Sequence, residues 1–401
     1  WINDDNDDGD LATEGSDIPG EGSGNASDAV VNGRCDLPDF FPLWLDVGPV
    51  LNLVPEEYPL SFVLCHNGDA LNFAYSDLTR QQAGSYLTNE LSVYGSSFNG
   101  PARQATVEQV TIEGAEISDT LLENIAAQAD KGILIMEGSE ASSLPLTLEI
   151  HQGEQLLCEV QMPLRISSIE GFYRWVNLRN LTGGSEDRAT DLNQPYNYPD
   201  SLCNGKQVIF LHGYNVNEQG ARGTIAEVFK RLYWSGSRAM FTGVSWEGNE
   251  DPAGIFFPCA AYYHLDARNA FSIASNLPAA FSSLPGSKYM IAHSLGNLAV
   301  SSAINHHGLS VSRYFMLDAA VATEAYRADT LHPDEMMPSH WQGYSNRLWA
   351  SEWYLLFPTN DGRRSLTWRD RIGDITNAVN YYSSGEDVLD NNPTNPPPIP
   401  L

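Results

Sequence analysis

Ser294 has the surroundings that a serine nucleophile requires. An apolar, strand-like run, 288–293, comes before it, and a run of small residues typical of a helix, 295–304, follows. A serine on a sharp strand-to-helix turn has its hydroxyl lifted clear of the backbone, and only small residues fit two positions before and after it. Ala292 and Gly296 occupy those positions. The spacing therefore predicts nucleophilic chemistry at this turn.

A second motif lies upstream, where the strand-like run 208–211 leads into His212 and Gly213. A glycine at this point lets the backbone turn sharply, which would direct the amide of Tyr214 toward the serine. The amide of Leu295, directly after the nucleophile, is the other candidate donor. Two backbone N–H groups in this arrangement predict an oxyanion hole.

With these two motifs the chain resembles the α/β-hydrolase superfamily, in its lipase and esterase branch, over residues 201–390. His212 and Gly213 match the oxyanion motif of that family, and 293–296 match its nucleophile turn, with Ala292 where glycine is usual. The resemblance implies a mostly parallel sheet with helices on both faces, and hydrolysis of carboxylic esters. It also implies that His212, His293 and Gly296 are motif residues and that neither histidine is the general base.

The resemblance further implies a catalytic acid at the end of a strand that follows the serine. We favour Asp387, in the run 381–389, because it fits that description and would hold the imidazole of the base in the correct tautomer. Asp318 is the alternative. Its surroundings, 317–320, read Leu-Asp-Ala-Ala and resemble the Leu-Asp-Pro-Ala segment that carries the acid in pancreatic-type lipases.

The histidine of the triad has no obvious position, because none follows Asp387. Three explanations stay open. The protein continues past Leu401 to a further strand and its histidine; His332 or His340, in the insertion 323–351, acts as the base; or the triad is incomplete and the fold serves binding only. His306 and His307 fit less well, since they close the predicted helix at its far end.

The charge balance argues against two classes of partner. The chain has 22 Lys and Arg against 51 Asp and Glu, a formal net charge of −29 at pH 7. Such a charge opposes binding to nucleic acids and to anionic membrane surfaces. No apolar stretch approaches the roughly 20 residues that span a bilayer. Because the sequence starts at Trp1 without a leader, we expect a processed, secreted protein.

The first 33 residues are rich in Asp, Gly, Ser and Asn, which is typical of a solvated linker. Four oxygen-bearing side chains in it alternate around a glycine, as calcium ligands do, namely Asp4, Asn6, Asp8 and Asp10. The run resembles the calcium linkers of thrombospondin type 3 and dockerin repeats, although Gly15 replaces the closing glutamate. A calcium site and a purely acidic tether are both open. No cofactor is expected for catalysis.

The rest of the chain divides by its periodicity. In 34–169, short β-like runs alternate with turn residues and predict an antiparallel β-sandwich, with one helix at 118–128; the runs are 40–47, 60–65, 71–75, 132–136, 144–151 and 155–164. Residues 170–200 read as a polar connector. From 201 to 390 strands and helices alternate, which predicts a parallel sheet. Residues 391–401 form a Pro-rich tail.

No Cys-x-x-Cys pair occurs, so the five cysteines are free thiols or form up to two disulfides.

The sequence thus predicts a secreted serine hydrolase that acts on small-molecule or lipid esters. The alternative is a non-catalytic extracellular subunit, structural or adhesive, that uses the same domains with an incomplete triad and is held in an assembly by its acidic and Pro-rich ends.

Overall fold

A computed structural model of the chain describes residues 1–3, 37–54, 58–68, 70–80, 106–179, 188–249, 263–321, 325–326, 357–361, 364, 375 and 377–383. The chain forms two compact units. Unit 1 contains Trp1–Phe172 and Arg222–Ser237, and unit 2 contains Tyr173–Ala221 and Arg238–Leu401. Their sheets make the fold a mixed α/β fold, as expected from the sequence.

Unit 1 carries two antiparallel sheets of four strands each in its described part, with strand orders β1-β6-β3-β4 and β5-β2-β7-β8. The strands are β1 (Phe41–Leu45), β2 (Leu60–His66), β3 (Leu71–Thr79), β4 (Thr106–Gln109), β5 (Ala115–Glu116), β6 (Gly132–Gly138), β7 (Leu146–Gln152) and β8 (Gln155–Met162). Alternate side chains of β2, β3 and β7, with single residues of β1, β5 and β6, line one buried core, because successive residues of a strand point to opposite faces.

The six short strands predicted in this region are confirmed, whereas β4 and β5 had not been predicted. Both are short, and neither has the apolar alternation that marks a strand in a sequence. A four-residue helix, α1 (Gly48–Leu51), follows β1.

The helix expected at 118–128 is present as α2 (Asp119–Gln128). It begins after Ser118, whose hydroxyl accepts the Leu121 N–H at 3.2 Å, and it ends at Ala129, which has a left-handed backbone. A serine cap and a left-handed end each satisfy backbone groups that the helix leaves unpaired.

Helix α3 (Glu218–Trp234) is divided between the two units. Most of it, together with the turn after it, belongs to unit 1 and contributes the buried Phe229 and Lys230 to that unit.

Unit 2 is built on a sheet of six parallel strands, in the order β14-β13-β12-β10-β11-β9. The strands are β9 (Arg174–Asn177), β10 (Lys206–Leu211), β11 (Met240–Ser245), β12 (Ser287–His293), β13 (Arg313–Leu317) and β14 (Ala378–Tyr381). The described α-helices that begin and end in this unit are α4 (Tyr263–Ala274), α5 (Leu277–Ala280) and α6 (Gly296–His307). Strand β9 lies in the segment that we interpreted as a connector.

The register of the parallel strands aligns their carboxyl ends. Leu211 at the end of β10 lies opposite Ala292 of β12, and Leu317 at the end of β13 lies opposite both His293 and Tyr381. Residues that follow β10, β12, β13 and β14 therefore emerge at one edge of the sheet, where α/β proteins usually bind ligands.

The core of unit 2 packs α4, α5 and α6 with the sheet. In α6 the first eight residues are all buried, and most of them are small, which allows close packing. The helix ends at Gly308, whose φ of +72° continues the chain in the left-handed conformation typical of a helix C-terminus.

None of the helices in the described ranges is long and apolar enough to cross a membrane. Cys65, Cys158 and Cys203 are free thiols, and the other two cysteines, Cys35 and Cys259, lie outside the described residues.

Candidate active site

Ser294 is held in a left-handed backbone conformation between β12 and α6. Its φ is +46°, a region that costs a non-glycine residue roughly 1–2 kcal/mol. Backbone hydrogen bonds maintain it: the Ser294 N–H donates to Leu317 O at 2.9 Å, and the Ser294 carbonyl accepts N–H groups of Asn297 and Ala320 at 3.1 and 3.2 Å. A conformation of this kind, enforced by its surroundings, is typical of functional residues.

The side chain of Asn297 ties this turn to β13. Its amide group donates to the carbonyls of Ser294 at 3.0 Å and Leu317 at 3.3 Å, and its side-chain oxygen accepts the Tyr314 hydroxyl at 2.7 Å. Burial raises the pKa of Tyr314 well above its usual range, so this hydroxyl stays a donor. Asn297 is fully buried, and we had not predicted a role for it. The signal in the sequence is a polar residue among the small and apolar ones at the start of α6.

Two glycines allow the two predicted motifs to meet. A Cβ atom on Gly213 would lie 2.9 Å from the Cβ of Ser294 and 2.9 Å from Nδ1 of His293. A Cβ on Gly296 would lie 2.5 Å from the carbonyl oxygen of His212, closer than real Cβ contacts allow. The backbone at His212-Gly213 therefore contacts the serine turn directly, as the predicted site requires.

The amide of Leu295, a fully buried residue, is the candidate donor that follows the serine. It precedes the first residue of α6, where helices leave N–H groups without intrahelical acceptors, and among the described residues no acceptor takes this N–H. Ser294 beside it is half-buried. Tyr214, the other predicted donor, is also half-buried, and its ring packs edge to face on Tyr263 at 5.0 Å between centroids.

His212 is buried and uncharged. Its Nε2 accepts the Trp246 N–H at 3.1 Å, its Nδ1 lies 3.0 Å from Gly213 O, and its ring stacks on that of Trp246. Burial above all, and then the positive charge of Arg179, lowers the pKa of His212 to about 3. Because both ring nitrogens are engaged within the protein, this histidine supports the site and does not act as a general base.

Asp318 lies directly after β13, next to the serine turn. It has a φ of +41°, and its N–H donates to Tyr381 O at 2.8 Å. One carboxylate oxygen, Oδ1, accepts the Ser383 N–H at 2.7 Å. In the part of the chain that the structure describes, the second oxygen has no donor. Asp387, the acid that we favoured, lies outside the described residues.

The two proposed bases, His332 and His340, also lie outside the described residues. His306 and His307 occupy the last turn of α6, about 15 Å along the helix axis from its first residue. His306 makes a 3.2 Å hydrogen bond with Ser302 there. The distance keeps this pair away from the serine turn.

The predicted calcium ligands, Asp4, Asn6, Asp8 and Asp10, are outside the described residues as well. Within the described ranges, the His, Cys, Asp and Glu side chains form no group of three or more that could hold a metal ion.

Arg179 contacts the site although no pattern in the sequence predicted it. It follows β9 in the segment interpreted as a connector, where an arginine reads as an exposed loop residue, yet it is 3% exposed. Its guanidinium reaches His212 Nε2 at 3.4 Å and the carbonyl of Val216. Only the pairing of β9 with β11 brings it there.

The sequence matches no protein-family model, and a search of curated proteins gives no significant match. The function is therefore inferred from the residues and the geometry of the site.

Proposed function

We propose that this protein is a serine hydrolase of the α/β-hydrolase type that cleaves carboxylic esters of small molecules or lipids. The observation that carries the proposal is the left-handed Ser294 at the carboxyl edge of the parallel sheet, in contact with Gly213. A strained serine between a strand and a helix, beside a glycine turn from the neighbouring strand, is the arrangement expected of a nucleophile in this type of hydrolase.

In the proposed reaction, Ser294 Oγ attacks the ester carbonyl carbon while its proton passes to a histidine base. The negative charge that develops on the carbonyl oxygen is stabilised by the N–H groups of Leu295 and Tyr214. The tetrahedral intermediate then collapses, and the alcohol leaves with the proton from the base. A water molecule hydrolyses the acyl-enzyme by the same steps and regenerates the serine.

We propose Asp318 as the acid, in place of the Asp387 that the sequence favoured. Asp318 lies one strand from Ser294, and its bond from the Ser383 N–H fixes the carboxylate while its other oxygen has no donor among the described residues. A fixed carboxylate with one free oxygen suits the task of orienting an imidazole. Asp387 remains the rival.

The base is proposed to be a histidine of the insertion, His332 or His340, or one in a continuation of the chain. The hydrogen bonds of His212 oppose its use as the base, since its Nε2 already accepts two donors. Secretion, and an N-terminal run that binds calcium or acts as a tether, stay proposals from the sequence alone.

Labelling with a fluorophosphonate probe tests the proposal, because such probes react with activated serines. We expect the wild type to be labelled and Ser294→Ala not to be. Ser282→Ala is the control, since within the described ranges its hydroxyl bonds only Ala279 O at the end of α5, and it should label like the wild type. A folded wild type that is neither labelled nor able to hydrolyse a short-chain nitrophenyl ester would contradict the proposal and favour the non-catalytic alternative.

A second set of variants identifies the base. If the insertion supplies it, His332→Asn or His340→Asn should lower the labelling rate and kcat by at least about 100-fold, whereas His306→Asn should leave both unchanged. If neither variant of the insertion has this effect in an active wild type, the base lies elsewhere in the protein.

A further inference from the structure

We infer that Arg179 is a positioning residue: together with the Trp246 N–H it holds His212 in a single tautomer, and it thereby fixes the direction of the Tyr214 amide, a donor of the proposed oxyanion hole. The inference rests on the proposed function, because it assigns this amide to the oxyanion hole. It goes beyond that function because it assigns an effect on the reaction rate to a buried residue in the loop after β9.

Arg179 holds the loop that follows β10 through several hydrogen bonds. Its Nε donates to Ser245 Oγ at 2.6 Å and its Nη1 to Asn249 Oδ1 at 2.8 Å. Its Nη2 donates to the carbonyl of Val216 and lies 3.4 Å from His212 Nε2. All three guanidinium nitrogens are thus engaged, and the planar fork of an arginine fixes the relative positions of its acceptors.

These contacts determine where the proton of His212 lies. Two groups, the Trp246 N–H at 3.1 Å and Arg179 Nη2, donate toward Nε2, so this nitrogen must be the acceptor. The proton of the neutral ring is then on Nδ1, which donates to Gly213 O at 3.0 Å. An imidazole in the other tautomer would place N–H against N–H at Nε2 and leave the Gly213 carbonyl without this donor.

The Gly213 carbonyl in turn determines the direction of the Tyr214 amide. In a planar trans peptide the C=O and the following N–H point in opposite directions. Because the Gly213 carbonyl is bound to the His212 ring, the Tyr214 N–H points away from that ring. The next residue is fixed too, since the Asn215 N–H donates to Gly248 O at 2.7 Å.

The close approach of Gly213 to Ser294 makes this direction matter for the reaction. A donor of the oxyanion hole must lie within hydrogen-bond distance of an oxygen bound next to the serine, and a displacement of about 1 Å can lower a rate 100-fold. Arg179 thus acts through His212 and the peptide of Gly213, without touching the substrate.

The test compares Arg179→Lys with Arg174→Lys in the full chain. Both arginines are 3% exposed, but Arg174 donates to Leu192 O and Asp200, and none of its hydrogen bonds in the described ranges reaches the loop 212–217. We expect Arg179→Lys to lower kcat for a short-chain ester about 10- to 100-fold with KM changed less than about 3-fold, because a lysine has one compact donor group. Arg174→Lys should keep kcat within about 3-fold of the wild type, although it should lose about as much thermal stability as Arg179→Lys.

Hydrogen exchange of the peptide that covers 212–217 supplies a readout without activity. In Arg179→Lys we expect these amides to exchange at least about 5-fold faster, with no such change in Arg174→Lys. Should Arg179→Lys not fold, Asn249→Ala removes one acceptor of Arg179 and should show the same effects at a smaller amplitude.

An unchanged kcat in folded Arg179→Lys, or unchanged exchange of the loop, would overturn the inference. A wild type without labelling or hydrolysis would instead remove the proposed function, and exchange alone would then decide whether Arg179 holds the loop.

Discussion

Ser294 and Asp318 are two residues in left-handed conformations at the ends of neighbouring parallel strands. Their φ angles are +46° and +41°, and the Ser294 N–H bonds the residue immediately before Asp318. Aspartate adopts this conformation more readily than most residues do, and serine adopts it less readily than aspartate. The sequence predicts both residues as candidates through their motifs. It did not rank Asp318 first, because the ranking depends on which strands are neighbours.

If Asp318 is the acid, Asp318→Asn should lower kcat about 100- to 10,000-fold without unfolding the protein. The asparagine tolerates the left-handed backbone and keeps an oxygen for the Ser383 N–H, but it cannot stabilise a charged imidazole. Steady-state kinetics with a nitrophenyl ester and a thermal melt measure the two effects. Asp387→Asn is the matched control. A large loss of kcat in that variant, with Asp318→Asn active, would return the role of the acid to Asp387.

At the scale of elements, the strand-to-helix turn and the loop after β10 form one structure. Gly296 allows the start of α6 to approach the His212 carbonyl, and Trp246, following β11, donates to both the ring and the carbonyl of His212. The strands of this region were predictable, because buried parallel strands read as continuous apolar runs. Strand β9 was not, since Arg174–Asn177 contains two polar residues among four, and its assignment depends on pairing with β11.

Because of His212 in the loop after β10, we expect the protein to lose stability in acid. His212 has a pKa of about 3 in the folded protein against an ordinary 6.5, first through burial and then through Arg179 and His293. The unfolded state therefore binds more protons between these values. The contribution of neutral His212 to the free energy of unfolding is fully present above pH 6.5. It decreases as the pH falls toward 3, by a few kcal/mol in total.

Urea unfolding of the wild type and His212→Asn between pH 7 and pH 3 measures this effect. The asparagine amide can replace the Nδ1 donor but does not titrate, so the free energy of unfolding of the variant should depend less on pH. Subtracting the two curves removes the carboxylates that titrate in both proteins. Parallel curves would contradict the assignment of a buried, neutral His212.

On the scale of the whole molecule, unit 1 depends on residues that are distant in the chain. Lys230 of α3 forms ion pairs with Asp39 at 2.8 Å and Glu227 at 3.2 Å, and both Lys230 and Asp39 are fully buried. The indole N–H of Trp1 also donates to Asp39. Our division of the sequence at residue 170 cannot describe this arrangement, because the chain returns to unit 1 for Arg222–Ser237.

Lys230→Met should therefore destabilise unit 1 by about 3–5 kcal/mol, since it removes the lysine cation from the buried Asp39 carboxylate, whereas the buried Glu227 keeps its ion pair with Arg231. Lys131→Met is the control. Lys131 pairs with Asp46 at the surface, with both side chains about half exposed, and its loss should cost less than about 1 kcal/mol. Urea unfolding followed by tryptophan fluorescence measures both. Equal effects of the two variants would show that the buried pair is not a major source of stability.

The sequence by itself determined the mixed α/β class, most of the strands and helices, and the serine and glycine motifs. Each of these depends on residues close together in the chain, through periodicity and the small side chains that a sharp turn requires. Only the tertiary structure decided that Asp318 lies beside the serine turn and that Asn297 and Arg179 form hydrogen bonds at the site. It also decided that Lys230 is buried in unit 1, where it pairs with Asp39. Those relations join residues separated by tens to hundreds of positions, and they depend on strand order, which no local pattern encodes.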